Sequence, residues 1–231
     1  TTTPSIKIES VKKFGVQVEL FGDSFDEAYE YALKVSDKED RIFIHPFDDP
    51  LVIAGQGTVA KEIVEEFNGT PDIFFIPVGG GGLISGMSIY LKKHYPNSKI
   101  YGVESEDAPT LYSSMKEGAP TKLDQVGLFV DGCAVKKIGE ETFKIAKDNV
   151  DEVILVSIDE TCAAIKDIYE DTRVMSEPAG ALSIAGMKKF ITRFSQMEKD
   201  IIKDQKKIQD LSIIDFEKYW NQVKFKEKAK K

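Results

Sequence analysis

The chain has 231 residues, a length that supports one large domain, or one domain and part of a second. Its hydrophobic content of 42% is sufficient for a packed core, while a net charge of −8 argues against nucleic acid as a partner. The two cysteines, Cys133 and Cys162, are far apart in sequence, which argues against a disulfide scaffold and favours a reducing compartment. No apolar stretch approaches transmembrane length, so we expect no membrane span.

Helical and strand-like patterns alternate along the chain, and Ser24 is a typical helix N-cap. The spacing of apolar residues predicts helices over residues 6–14, 24–35, 51–67, 108–117, 140–147, 159–171 and 178–190. Short apolar runs predict strands over residues 16–20, 41–44, 73–78, 99–103 and 152–156. Strands that alternate with helices form right-handed βαβ units, so we expect an α/β fold with a mostly parallel sheet flanked by helices.

Residues 79–82 are four consecutive glycines, and they are the most informative local feature of the sequence. They follow the strand pattern of residues 73–78 and precede a helical pattern that begins at Leu83. A central parallel strand that turns through glycine into a helix leaves backbone N–H groups unpaired, and the helix dipole adds attraction for an anion. We therefore expect phosphate to bind at this turn.

The glycine run fits neither of the two common phosphate-binding motifs. In the dinucleotide pattern Gly-x-Gly-x-x-Gly, the register that ends at Gly86 puts Leu83 where a glycine is required. In the P-loop pattern, Met87 stands where lysine is required. The prediction is thus a phosphate site outside these two classes, because ligands usually bind at the carboxyl ends of strands in α/β chains. A flexible glycine turn or a tight packing corner is the alternative.

The composition changes near Thr192, and from Arg193 onward the sequence is highly charged and contains neither Gly nor Pro. The apolar residues of this part recur only at an imperfect helical spacing. We therefore expect residues 192–231 to form a largely helical, charged tail that is poorly packed on the core. An aromatic cluster within residues 216–225 is expected to be the exception and to dock on a partner or on the core.

Eight segments resemble threonine dehydratase (threonine ammonia-lyase), and they lie between Thr1 and residue 191. These segments are TTTPSIK at 1–7, HPFD at 45–48, IAGQGT at 53–58, PVGGGGL at 77–83, VESED at 103–107, VGLFVDG at 126–132, AVKKIG at 134–139 and SEPAGAL at 176–182. The chain resembles the biosynthetic branch, which feeds isoleucine synthesis, more than the serine racemase branch. This resemblance implies a pyridoxal phosphate enzyme of fold type II, with an architecture like that of the tryptophan synthase β subunit.

The resemblance assigns roles to particular residues. The segment that holds the cofactor phosphate in the family corresponds to Gly79, Gly80, Gly81, Gly82 and Leu83. Gly132 lies in a segment that runs beside the cofactor in the family, with a simple turn glycine as the alternative. Glu177 matches a carboxylate near the active site, with an acid at a helix start as the alternative, because Pro178 suits the first helical position.

The implied reaction is the pyridoxal-phosphate-dependent deamination of the amino acid L-threonine to 2-oxobutanoate and ammonia, the first step of isoleucine biosynthesis. A catabolic serine/threonine deaminase, a serine racemase-like enzyme and a catalytically inactive ligand-binding or interaction protein are the alternatives. In the family, the lysine that forms the Schiff base with the cofactor lies upstream of the segment that resembles residues 1–7. We therefore assign no lysine to catalysis and expect this chain alone to be inactive.

Composition and resemblance together divide the chain into three parts. Residues 1–40 are expected to belong to a small domain, residues 41–191 to a large cofactor-binding domain, and residues 192–231 to the divergent tail. The resemblance also implies a homo-oligomer when the protein is full length. The expected compartment is the cytoplasm, or the mitochondrial or plastid matrix in a eukaryote, and no targeting segment is visible in the sequence.

A metal site is not expected. Glu104 and Ala108 fall where the racemase-like branch binds a divalent cation, but Thr110 replaces the carboxylate that completes the ligand set there. A hard cation prefers several charged oxygen ligands, so we predict no tight binding. His45 and His94 have no neighbouring ligand or triad pattern, and we expect both to be structural.

Overall fold

The computed structural model describes residues 3–228, with the side chains of residues 3–227. The chain divides into two compact units, Thr1–Leu155 and Val156–Lys231, and each is considered by itself. Among the described residues, no helix combines the length and the apolar composition that crossing a membrane requires. The predicted domain boundaries at residues 40/41 and 191/192 stay predictions.

Helices and strands alternate from residue 73 onward, whereas four helices follow one another among the described residues before it. The helices are α1 (Ser5–Lys12), α2 (Phe25–Glu39), α3 (Pro50–Gln56), α4 (Thr58–Glu66), α5 (Gly82–His94), α6 (Thr110–Glu117) and α7 (Glu140–Asn149). The strands are β1 (Ile73–Pro77), β2 (Lys99–Ser105) and β3 (Glu152–Val156), and a 3₁₀ turn spans Asp131–Cys133. The α/β class is therefore confirmed.

The sheet has the order β1-β2-β3, and β1 and β2 are parallel. Ile73 is paired with Lys99 at one end of the two strands, and Pro77 is paired with Val103 at the other. Among the described strands, β2 is the central one and β1 lies at an edge. The expectation that the strand before the glycines is central is thus wrong for the sheet that residues 3–228 form.

The core of the first unit is built around α5, which is apolar on most of its surface and is covered on several sides. Ile84 and Leu91 are fully buried on this helix, and they belong to a cluster with Ile76 of β1 and Ile100 of β2. Burial of side chains of this size contributes roughly 1.5–3 kcal/mol each. This packing holds the start of α5 in a fixed position at the end of β1.

The predicted helix over residues 51–67 is two helices, α3 and α4, which meet at Gly57. A Cβ at Gly57 would lie 3.0 Å from the carbonyl oxygen of Gly86, and one at Gly86 would lie 2.6 Å from the nitrogen of Gly57. The junction therefore packs backbone to backbone against α5. A side chain at either position would collide with the backbone of the other helix, so both positions require glycine.

Two predicted strands, at residues 16–20 and 41–44, do not form. Both segments lack regular structure, and neither is paired with a strand among the described residues. Aromatic residues next to or within them contact α2 instead: Phe21 stacks on Tyr31 at a centroid distance of 4.2 Å, and Phe43 meets Tyr29 edge to face. A strand pattern without a partner strand leaves its backbone groups to water, which is why the prediction fails here.

The second unit is helical, with α8 (Ile158–Thr172), α9 (Pro178–Lys203) and α10 (Ile213–Lys228). A capping box formed by Ser157 and Glu160 begins α8. Helix α9 runs through the composition change near Thr192 without a break. Helix α9 packs against both α8 and α10.

The tail is largely helical, as expected, and has a hydrophobic cluster of its own, while its packing on the core stays a prediction. Met197 and Ile201 are fully buried on α9, and Tyr219 and Val223 of α10 complete the same hydrophobic cluster. Each pair is spaced by four residues, so the two helices present matching apolar stripes. The imperfect spacing is sufficient because the apolar residues of α9 and α10 in this cluster bury one another.

Candidate functional site

Residues 79–82, here called the glycine turn, connect the end of β1 to the start of α5. Gly81 is the N-cap residue of α5 and has a φ of 91°, a left-handed conformation that glycine adopts without strain. Its carbonyl oxygen accepts the backbone N–H of Ser85 at 3.0 Å, which is the first hydrogen bond of the helix. The predicted order of strand, glycine turn and helix is confirmed.

The side of each glycine where a Cβ would project is occupied by protein. A Cβ at Gly79 would lie 2.9 Å from the Cα of Cys133, and one at Gly81 would lie 2.9 Å from the Cβ of Thr142. A Cβ at Gly80 would lie 2.5 Å from the ring of Phe47, whose Cβ is also 3.0 Å from the corresponding position at Gly82. Tight packing, the alternative in the sequence analysis, is therefore present at all four positions.

The carbonyl oxygens of the glycine turn are held by hydrogen bonds. Thr110 Oγ1 lies 2.9 Å from the carbonyl oxygen of Gly79. The carbonyl oxygen of Gly80 accepts the backbone N–H of Gly139 at 3.2 Å and the hydroxyl of Thr142 at 2.8 Å. With the bond from Ser85 to Gly81, every carbonyl between Gly79 and Gly81 has a donor.

The backbone N–H groups of the glycine turn differ from its carbonyl oxygens in their hydrogen bonding. Among the described residues, no hydrogen bond is donated by the backbone N–H groups of residues 79–83. Gly81 and Gly82 are buried, whereas Gly79, Gly80 and Leu83 are partly exposed. Unpaired donors at the N-terminus of a 13-residue helix form a ready-made site for an anion. The residues present therefore fit a phosphate group.

Two carboxylates cap the helices that supply the threonines. Oδ1 and Oδ2 of Asp48 accept the backbone N–H groups of Glu140, Glu141 and Thr142, at 2.9, 2.9 and 3.1 Å, in the first turn of α7. Asp48 is remote in sequence from the helix that it caps, and it supplies acceptors for N–H groups that have no partner within the first helical turn. Asp48 therefore fixes the start of α7, on which Thr142 lies.

Glu104 performs the same function for α6. Its Oε1 accepts the N–H of Leu111 at 2.7 Å, its Oε2 accepts that of Tyr112 at 2.9 Å, and Thr110 Oγ1 lies 2.9 Å from Oε1. Burial raises the pKa of Glu104 to about 7, although its backbone and hydroxyl hydrogen bonds act in the opposite direction. A fully buried carboxyl thus lies one hydrogen bond away from the glycine turn.

The turn that contains Phe47 and Asp48 is organised by His45. Its Nδ1 accepts the backbone N–H of Asp48 at 2.8 Å and that of Phe47 at 3.2 Å. Burial lowers the pKa of His45, while the nearby carboxylates of Asp48 and Asp49 oppose this effect. The prediction that His45 is structural agrees with this geometry, since its ring nitrogen replaces a backbone acceptor.

The remaining predicted site residues are placed as follows. Gly132 is exposed within the 3₁₀ turn, and it is the next residue, Cys133, that contacts Gly79. Glu177 is the exposed N-cap residue of α9, makes no side-chain capping hydrogen bond, and precedes Pro178 at the first helical position. The helix-start alternative therefore describes the backbone position of Glu177 correctly. The roles of Gly132 and Glu177 at a cofactor stay predictions.

Sequence reasoning missed several residues that surround the glycine turn. Thr142 and Asp48 have no local pattern that connects them with residues 79–82, because their contacts span 62 and more than 90 residues. Phe47 and Asp48 do lie in one of the eight segments on which the resemblance is based. That segment was the available signal, but only the tertiary structure shows that it lies against the glycines.

Comparisons with known proteins agree with the geometry. Residues 1–201 match the family described as "Pyridoxal-phosphate dependent enzyme". The chain is 50% identical over 189 residues to L-threonine dehydratase biosynthetic IlvA of Pasteurella multocida, covering 82% of this chain and 37% of that protein. It is 53% identical over 192 residues to the mitochondrial threonine dehydratase of Saccharomyces cerevisiae, covering 82% of this chain and 33% of that protein.

A solved structure shows the same relationship. The processed form of threonine deaminase isoform 2 from Solanum lycopersicum is 46% identical, with a TM-score of 0.76, over 80% of this chain and 54% of that one. The chain thus spans roughly a third of the length of the curated relatives named above. The resemblance to threonine dehydratases and the fold type that it implies are confirmed.

Proposed function

Because the chain belongs to the family of pyridoxal-phosphate dependent enzymes, we propose that its glycine turn binds the phosphate of pyridoxal 5′-phosphate. We further propose that the whole protein deaminates L-threonine to 2-oxobutanoate and ammonia. The observation that supports the first proposal is the set of unpaired backbone N–H groups at residues 79–83. The names and identities of the relatives support the second.

In this proposal Gly79, Gly80, Gly81, Gly82 and Leu83 hold the phosphate through their N–H groups. The N-terminal end of α5 adds the partial positive charge of its dipole, typically 0.3–1 kcal/mol for an exposed anion and up to about 2 kcal/mol when partly buried. Phe47 covers Gly80 and Gly82 and excludes water from one side of the turn. A phosphate there would replace solvent as the acceptor for the donors.

When bound, the cofactor would supply an electron-withdrawing ring that stabilises negative charge on the α-carbon of an amino acid. Gly132 is proposed to border the cofactor, since the adjacent Cys133 contacts Gly79. Glu177 is proposed as a neighbour of the active site on the basis of the family resemblance alone. We assign no lysine and no metal ligand of this chain to the reaction.

The substrate and pathway are proposed from the relatives. Two relatives named above are threonine dehydratases, and the one from Pasteurella multocida is called biosynthetic, which favours threonine and isoleucine synthesis over a catabolic or racemase reaction. The proposed compartment is the cytoplasm, or the mitochondrial or plastid matrix in a eukaryote, and the relative from yeast is named mitochondrial. A homo-oligomer is proposed for the full-length protein.

A chimera tests this proposal. Residues 1–191 of this chain would replace the matched region of the yeast threonine dehydratase, and release of 2-oxobutanoate from L-threonine would be measured beside release of pyruvate from L-serine. We expect deamination with a preference for L-threonine. The unmodified yeast enzyme is the control for the assay.

The other outcomes of the chimera experiment distinguish the alternative functions. A preference for L-serine would favour the catabolic deaminase. A folded chimera that binds pyridoxal phosphate but releases neither product would contradict the lyase function and favour a ligand-binding protein. A folded chimera that does not bind pyridoxal phosphate would contradict the role of the glycine turn.

A further inference from the structure

We propose that Thr110 and Thr142 are positioning residues whose hydroxyl groups aim the N–H groups of the glycine turn at the phosphate. This inference rests on the proposed function and deepens it. The two threonines need not touch the cofactor, because they act through the glycine peptides. Their role would be to keep the phosphate donors in one orientation before the ligand arrives.

The physical basis is the planarity of the peptide bond. In a trans peptide, the C=O of one residue and the N–H of the next point in opposite directions. A hydrogen bond that holds the carbonyl of Gly79 therefore fixes the direction of the N–H of Gly80. In the same way, the bond to the carbonyl of Gly80 fixes the N–H of Gly81.

Glycine makes such fixation necessary. A run of glycines has more accessible backbone conformations than any other sequence, so a free glycine turn would lose much entropy on binding an anion. Pre-organised donors avoid that loss at the moment of binding. The hydroxyl of Thr142, 2.8 Å from the carbonyl oxygen of Gly80, and that of Thr110, 2.9 Å from the carbonyl oxygen of Gly79, supply this restraint at two successive peptides. Thr110 has a single hydroxyl proton, and it is available to Gly79 when Glu104, whose Oε1 is also 2.9 Å away, is protonated.

The two threonines are themselves held in equivalent ways. Thr110 is the first residue of α6, and Thr142 is the third residue of α7. Each of these helix starts is capped by a carboxylate from outside the helix, Glu104 for α6 and Asp48 for α7. Both threonines are fully buried. Two rigid helix starts thus present a hydroxyl to successive carbonyls of one turn.

The test uses the full 231-residue chain and compares two ligands that differ only in the phosphate, pyridoxal 5′-phosphate and pyridoxal. Affinities would be measured by equilibrium dialysis for the wild type, Thr142→Val, Thr142→Ser and Thr110→Val. Thr161→Val is the matched control, because Thr161 is also fully buried and its hydroxyl bonds a backbone carbonyl, that of Ser157. Serine at position 142 keeps the hydroxyl and is the rescue variant.

We expect Thr142→Val and Thr110→Val each to weaken pyridoxal phosphate binding roughly three- to tenfold, the usual range for one hydrogen bond. The affinity for pyridoxal should change less than about twofold, as should both affinities in Thr142→Ser and Thr161→Val. Equal losses for the two ligands, or no loss in either valine variant, would overturn the inference. If one valine variant fails to fold, the affinities of the other valine variant test the inference.

A second readout does not depend on affinity. With ¹⁵N-labelled glycine, the amide signals of Gly80 and Gly81 should shift on addition of pyridoxal phosphate in the wild type and in Thr142→Ser. In Thr142→Val the signal of Gly81 should broaden before ligand is added, because only the 3.2 Å hydrogen bond from the N–H of Gly139 then holds its peptide. A sharp, unchanged Gly81 signal in that variant would count against positioning.

The two levels of the proposal fail differently. A folded wild-type chain that binds pyridoxal phosphate no better than pyridoxal would overturn the phosphate site and, with it, the positioning role. A wild-type chain that prefers pyridoxal phosphate, together with valine variants that retain the full preference, would overturn the positioning role alone.

Discussion

The carboxylate of Asp48 accepts the backbone N–H of Thr142 at 3.1 Å, although 94 residues separate the two in sequence. This contact links the turn organised by His45 to the start of α7. Because Thr142 in turn donates its hydroxyl to Gly80, a single carboxylate connects the turn at residues 45–48 with the glycine turn. The geometry of the candidate site therefore depends on residues far from the glycines in sequence.

Replacing Asp48 should weaken the start of α7. In Asp48→Ala three N–H groups lose their acceptor, and the expected loss is about 1–2 kcal/mol of unfolding free energy. Hydrogen exchange of the amides of Glu140, Glu141 and Thr142 should accelerate, which can be followed by NMR or mass spectrometry.

The matched control for that change is Asp49→Ala. Asp49 caps α3 through the N–H groups of Leu51 and Val52, so its loss should accelerate exchange in α3 and leave α7 unchanged. Equal protection of α7 in both variants would show that Asp48 does not hold the helix.

Alanine at Gly81 should be more costly than alanine at Gly118. Both residues have positive φ, 91° and 77°, so both substitutions pay about 1–2 kcal/mol for a left-handed conformation. Only the new Cβ at position 81 meets Thr142, at 2.9 Å, whereas nothing lies within 4 Å of the Cβ at position 118. Urea unfolding should give the larger loss for Gly81→Ala, and equal losses would contradict the packing described here.

Glu104 should impose a pH dependence on stability. Its pKa is raised from 4.5 to about 7 in the folded state, so between these values the folded chain holds a proton that the unfolded chain has released. The unfolding free energy should therefore fall as pH rises through this window, by up to about 3 kcal/mol, and level off above it. Below pH 4.5 the effect should vanish, since both states are protonated.

The difference between the wild type and Glu104→Gln isolates this effect. Other carboxylates contribute equally to both proteins. The difference in unfolding free energy between them should therefore change with pH only between 4.5 and about 7, where Glu104 of the wild type titrates. Parallel stability curves for the two proteins across that range would exclude a neutral, buried Glu104.

Adjacent isoleucines in α9 test the packing of the tail. Ile201 is fully buried against α10, so Ile201→Ala should cost about 2–5 kcal/mol. Ile202 is 68% exposed, and Ile202→Ala should change stability by less than about 0.5 kcal/mol. If both substitutions were equally mild in urea unfolding, the hydrophobic cluster of α9 and α10 would not exist in solution.

The sequence by itself was sufficient for local features and for the family. The order of strand, glycine turn and helix at residues 73–94 follows from hydrophobic spacing and from the backbone freedom of glycine, which act between near neighbours. The N-cap at Ser24 is local in the same sense, because its hydroxyl accepts the N–H of Glu27 three residues on. The α/β class follows from the alternation of such elements.

Only the tertiary structure decided which side chains meet at the glycine turn. Thr110, Thr142 and Phe47 come from three separate segments, and no periodicity relates them to residues 79–82. The same holds for the tail, whose few apolar residues become buried only because α10 packs against α9. It also holds for residues 16–20, which match a strand pattern but have no partner strand among the described residues. A local pattern fixes what a segment is able to form, whereas long-range contacts determine whether its surface is covered and its hydrogen bonds are made.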